Sequence, residues 1–184
     1  MRSVIRMGLT IGCLAFAGGT SATGVDEERE YREWKALLAQ TSAKGPVPET
    51  LKLLGGFLQA HPKGEHAPDV RFATGEILFK DGQYEQALGY YQALVDQKDA
   101  GYLGAALLRL GEVYYNTKRF PQARRSWEKL TDSTPGGSLL AAEALYGLAL
   151  CDLRDKNYLA ADKKLELLIR KFPAYANQSK TREL

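Results

Sequence analysis

Apolar residues in this chain recur at steps of three and four. Tyr84, Ala87, Tyr91 and Leu94 fall on one helical face. Phe120, Ala123, Trp127 and Leu130 do the same, as do Tyr158, Ala161, Leu165 and Leu168. No stretch sustains the alternation of a half-buried strand, so the pattern predicts an all-α chain. Nine positions before each leading aromatic stands a small residue: Gly75, Gly111 and Ala149. Two helices can approach closely at such a position, and Ala87, Ala123 and Ala161 are small on the partner helix. The steps from Tyr84 to Phe120 and from Phe120 to Tyr158 are 36 and 38 residues. A recurring period of this size predicts a stack of helix pairs, each burying its apolar face on its neighbours. The prolines support these boundaries. Pro46, Pro48, Pro62, Pro68, Pro121, Pro135 and Pro173 all fall at turns or in first helical turns, where the ring breaks nothing.

Four units are expected, at about 31–64, 68–101, 104–137 and 142–175. The first is degenerate: it has Trp34, Leu37 and the turn glycine Gly45, with Val47 in the aromatic's place. Residues 176–184 are left as a short tail or partial capping helix. This spacing resembles the tetratricopeptide repeat, a helix–turn–helix unit with a W-x2-L-G-x2-Y opening, a mid-repeat alanine and a closing proline. Pro135 and Pro173 stand where that proline belongs; Asp99 departs from it. The resemblance implies an α-solenoid of about four helix pairs in a right-handed superhelix, with a concave surface that binds proteins. The connectors, such as His61-Pro-Lys-Gly-Glu-His-Ala-Pro68, are longer than usual. They are similar to those in envelope proteins of the outer-membrane assembly lipoprotein and Tol–Pal types.

The N-terminal residues 1–24 have a different character. Arg2 and Arg6 precede an apolar run of about a dozen residues and then a run of small ones. That order is expected of a secretory signal peptide, and the run is shorter than the roughly 20 residues needed to span a bilayer. Residues 25–175 then form the array. Cys13 follows Ile11-Gly12 as in a lipobox, but Thr10 stands where a bulky aliphatic residue is usual. Membrane association is expected only if Cys13 is lipidated.

Composition narrows the chemistry. There are 25 Lys and Arg against 22 Asp and Glu; without Arg2 and Arg6 the excess falls to a single charge. Such a chain has little field to draw it to phosphate, so no nucleic-acid partner is expected. Two histidines and two cysteines leave almost no inventory for a metal centre or an activated nucleophile, and no cofactor, metal or enzymatic activity is expected. His61 and His66 are read as solvated turn residues, Asp152 and Asp155 as capping or water-facing. The pairs Arg124-Arg125 and Lys163-Lys164 are read as solvated faces, and Cys151 as inert packing.

One constellation points to function. Beside the packing face of each first helix runs a stripe at steps of four and three. It comprises Phe72, Glu76, Phe79 and Lys80; then Leu108, Glu112, Tyr115 and Asn116; then Tyr146, Leu150, Leu153 and Arg154. Apolar anchors alternating with single polar groups suit a groove that holds an extended protein segment. The expected function is a non-enzymatic periplasmic adaptor or scaffold for protein or peptide partners in envelope biogenesis. The alternatives are a self-associating structural module and the regulatory subunit of an envelope enzyme. The short tail is expected to leave Leu165, Leu168 and Ile169 accessible and to permit self-association through that end.

Overall fold

The computed structural model describes residues 22–42, 47–134 and 138–176. Among these, all regular structure is helical: α1 (Ala22–Ser42), α2 (Val47–Ala60), α3 (Ala67–Lys80), α4 (Tyr84–Asp96), α5 (Leu103–Asn116), α6 (Phe120–Ser133), α7 (Leu139–Arg154), α8 (Tyr158–Lys171) and a single turn, α9 (Pro173–Ala176). The first eight form four antiparallel pairs in the order the spacing predicts; α1 begins at Ala22, ahead of residue 31, where the first unit was expected to start, and within the expected signal segment 1–24. Residues 1–21, the turn glycine Gly45, Pro46 and Pro135 lie outside the described residues, as do residues 177–184 of the tail. No described helix is long and apolar enough to cross a membrane.

Local chemistry sets the boundaries. Pro68 and Pro121 occupy first helical turns, where the missing N–H is harmless. Ser138 and Asn157 cap α7 and α8 by accepting from the amides of Ala141 and Ala160. The three tight turns inside the second, third and fourth pairs share one geometry. Each puts a residue at positive φ, Gly82 (77°), Lys118 (62°) and Lys156 (59°). Only the first is glycine, so the other two carry the modest cost of a left-handed lysine.

Packing follows the repeat. Each second helix lies against its own first helix and against the first helix of the next pair. The central core joins Leu78, Tyr91, Leu94, Leu107, Leu110, Val113, Trp127 and Leu130 to Leu148 and Cys151. Tyr91 sits over Gly75, where an added Cβ would lie 2.7 Å from its ring. Trp127 fills the equivalent place over Gly111, and its other side meets Gly147 of the following pair, where a Cβ would also lie 2.7 Å from the indole. Its Nε1–H donates to the Leu108 carbonyl at 3.3 Å. Smaller clusters close the ends: Trp34, Leu37, Leu54, Phe57 and Val70 at one, Ala141, Ala142, Leu168 and Phe172 at the other.

Several polar residues are placed otherwise than their sequence suggested. His61 and His66 are half-buried in the turn between α2 and α3. His61 Nε2 lies 2.6 Å from Glu33, and the His66 ring stacks on Trp34 at 5.0 Å. Glu30 accepts from the His66 amide at 2.9 Å and packs against Gly64. The acidic side of α1 is thus fastened to this turn, and the two histidines are structural rather than solvated. His61 and Arg29 hold the Glu33 carboxyl below the usual range. Asp152 is also not at the surface. It is buried between Arg124 Nη1 (2.7 Å) and Lys164 Nζ (2.5 Å). Burial opposes its charge, but these two cations outweigh burial and keep its pKa below the ordinary aspartate value. One residue of each basic pair is therefore engaged in the fold, and Arg125 and Lys163 remain exposed. Leu168 is fully buried and Leu165 half-buried, because Phe172 and Tyr175 fold back over them. Of the cluster expected to stand open, only Ile169 does, at 55% exposure. Cys151 is buried, and burial pushes its thiol pKa up, so it packs as an apolar group.

Candidate protein-binding groove

First helices approach one another more closely than second helices do. α5 packs directly on α7, and side chains bridge α3 to α5. No comparable packing joins α4 to α6 or α6 to α8 among the described residues. The stack therefore curves with its first helices inside, and their free stripes face a common concave side.

The sequence-marked residues take distinct places there. In the second unit Phe72 is half-buried, 4.9 Å from the Tyr102 ring and edge-on to Tyr91. Phe79 is half-buried, edge-on to Tyr84, and the Arg109 guanidinium lies 5.4 Å from its ring centre. Lys80 is exposed. In the third unit Tyr115 is half-buried against Phe120 and Trp127, and Asn116 is exposed. In the fourth, Tyr146, Leu150 and Leu153 are half-buried. The exposed Arg154 guanidinium covers the Phe120 ring at 3.4 Å and pairs with Asp155. Leu108 is a correction. It is 4% exposed and belongs to the central core, because its turn of α5 faces α6 as well as the groove. Its side chain has no surface left to offer a ligand.

The two groove carboxylates share a partner that the sequence stripe skipped. Arg109 grips Glu76 with Nε (2.5 Å) and Nη2 (3.1 Å), and reaches Glu112 with Nη1 (2.6 Å). The Tyr91 hydroxyl donates to Glu76 at 2.9 Å from the core side. Burial disfavours the guanidinium charge, but the bonds and fields of Glu76 and Glu112 prevail and hold its pKa above the ordinary value. Burial, helped by Glu76, pushes the Tyr91 phenol up, so it stays a donor. A second bridge, from the Tyr102 hydroxyl to Asp69 at 2.5 Å, ties the two units at the entrance of their first helices. The groove floor is thus a pre-set lattice of ion pairs with aromatic rings beside it. Half-buried rings supply contact area at low entropic cost, and a fixed polar lattice sets register.

Sequence reasoning missed Arg109, Asp69, Tyr102 and Tyr175. For Arg109 a signal existed: it is the one cation of α5, three residues before Glu112 and facing the preceding unit. For Tyr175 the signal was weak, since α9 is one turn. Its ring packs, as Tyr146 and Leu165 do, against the end cluster of Ala141, Ala142, Leu168 and Phe172. Burial, then Glu143, Tyr146 and Glu112, push its phenol pKa up to about 12.

Comparisons with known proteins agree with this architecture. Models of the tetratricopeptide repeat match residues 51–102, 78–144 and 143–175. No curated protein matches the chain. Among solved structures, one described as "MamA RS-1 ArsTM double mutant" is similar over 84% of this chain and 79% of its own, with a TM-score of 0.61 and 19% identity. At that identity the likeness speaks to the fold alone.

Proposed function

Because this chain is a tetratricopeptide repeat protein, a family of protein-interaction scaffolds, we propose that it works without catalysis as an adaptor. It holds an extended segment of a partner protein in the concave groove. The observation that carries this is the groove itself: half-buried Phe79, Tyr115, Leu150 and Leu153 lie along successive first helices, and Arg109 fixes the carboxylates of Glu76 and Glu112 on the second and third units. A half-buried apolar strip with its polar groups pre-organised loses little entropy when a segment lies down on it. The setting we propose is the cell envelope, on the periplasmic side. It rests on the signal-like residues 1–24 and on the long connectors.

Two measurements test the reading. A photo-crosslinking side chain is placed at Phe79, Tyr115 or Leu150 in the groove, and at the outward Glu85 or Lys129 as controls. The same partner protein should be trapped from the groove positions and not from the outer ones. Trapping only from the outer positions would sink the groove assignment. Cell fractionation with protease protection should find the processed chain outside the inner membrane. A chain that keeps residues 1–24 in the cytoplasm would remove the envelope setting and leave the groove untouched.

A further inference from the structure

Between the first turns of α6 and the end of α7 lies a cleft of about 300 Å³. Three guanidinium groups line it, those of Arg124, Arg125 and Arg154. The repeat itself does not require them. One unit earlier the equivalent places hold Leu88, Gly89 and Asn116, and the second and third pairs stack without a cation at any of the three.

Two of the three arginines are engaged, and their bonds show what the cleft holds well. Arg124 is bonded by the buried Asp152 at 2.7 Å. Its Nη2 also reaches Asp155 Oδ2 at 3.1 Å, while Arg154 Nη1 reaches Asp155 Oδ1 at 2.8 Å. One carboxylate is thus already bridged between two guanidinium groups. The Phe120 ring, 3.4 Å from the Arg154 guanidinium, fixes that group in place and leaves its Nε and Nη2 without a bond among the described residues. Arg125 is exposed, and its guanidinium pairs with nothing among the described residues. The opposing charges in the lining are Asp155 and Glu128. Asp155 is engaged by Arg124 and Arg154; Glu128 stands three residues beyond Arg125 at the rim and accepts from none of the arginines. Three cations against two carboxylates leave one positive charge unmet, beside the exposed Pro121 and the Phe120 ring.

We propose that this cleft is a second docking surface, which takes an acidic side chain from a segment of a partner protein. The carboxylate lies between Arg125 and the unused nitrogens of Arg154, and the adjoining residues of the segment rest on Pro121 and Phe120. A planar guanidinium meets a carboxylate in paired bonds, as the bridged Asp155 already illustrates. A single unmet cation suits one carboxylate better than the double charge of a phosphate group. Arg125 belongs to a second helix, outside the concave side, so the inference is independent of what the groove holds.

The test is fluorescence anisotropy at low salt with a dye-labelled peptide of six glutamates flanked by serines, beside its six-glutamine counterpart. The glutamate peptide should bind and the glutamine peptide should not. Arg125→Ser, an exposed change expected to leave the melting curve as it is, should weaken binding about fivefold or more. Lys163→Ser removes the same charge from an exposed site on α8 outside the cleft, and should change binding less than about twofold. Vesicles rich in phosphatidylglycerol, offered in place of the peptide, should not bind. Three results would overturn the proposal. The glutamate peptide fails to bind; Arg125→Ser and Lys163→Ser weaken it equally, which marks diffuse attraction; or the vesicles bind and lose that binding in Arg125→Ser, which gives the cleft to an anionic membrane surface.

Discussion

The central packing of this array makes a sharp prediction about one glycine. Gly111 lies against the flat of Trp127, and a Cβ there would overlap the indole. The ring cannot retreat, because Gly147 closes on its other side, and its Nε1–H is held by the Leu108 carbonyl. Gly111→Ala therefore combines two opposed effects. Helix propensity favours alanine by about 1 kcal/mol. Overpacking against a ring confined on both sides costs about 1–3 kcal/mol. The net expectation is a loss of up to about 2 kcal/mol. Trp127→Leu alone should lose about 2–4 kcal/mol, since it empties a slot between two pairs. In that background the clash is gone, so Gly111→Ala should now stabilise by about 1 kcal/mol. The chain already contains this combination: at the equivalent positions of the fourth unit stand Ala149 and Leu165. Urea melts of the four proteins, with slopes compared as a check on two-state behaviour, give the coupling energy. If Gly111→Ala costs the same in both backgrounds, the ring is not what reads the glycine, and the packing argument fails.

This example shows why so much of the fold was legible. Small residues, aromatics and prolines repeat because helix pairs repeat, and three copies of one spacing fix the helices, their turns and the order of stacking. What stayed hidden was anything decided by a partner from another unit. Asp152 occupies the position where Leu78 and Tyr114 stand in the earlier units. Its burial follows from that register, but its ion pairs come from Arg124 of the previous unit and Lys164 of its own second helix. Arg109 was passed over for the same reason: its partner Glu76 is 33 residues away and visible only once the units are stacked. The stripe reading placed Leu108 in the groove because a helical wheel has no neighbours, whereas α5 has one on each side. The histidine turn misled through composition, since its partners Glu30 and Glu33 lie in the degenerate unit.

Two further predictions rest on these inter-unit pairs. Asp152 has its pKa lowered in the fold, so it contributes stability above the ordinary aspartate range, and this is lost as pH falls through its folded value. Asp152→Asn should cost about 1–3 kcal/mol at neutral pH, discounted because Arg124 and Lys164 are partly solvated, and should flatten the acid limb of a stability–pH curve; an unchanged acid limb would show that another carboxylate governs it. The last prediction joins the groove to the stack. Arg109 is the single bond between Glu76 of the second unit and Glu112 of the third, and removing it leaves two half-buried carboxylates facing each other. Arg109→Leu, which keeps the apolar stem, should therefore lose about 1–3 kcal/mol in a urea melt. In a Glu76→Gln, Glu112→Gln background the like charges are gone and Tyr91 keeps a partner for its hydroxyl, so the same Arg109→Leu change should cost less than half as much. If Arg109→Leu costs the same in both backgrounds, the groove lattice is packing rather than electrostatics, and its polar register would have to come from elsewhere.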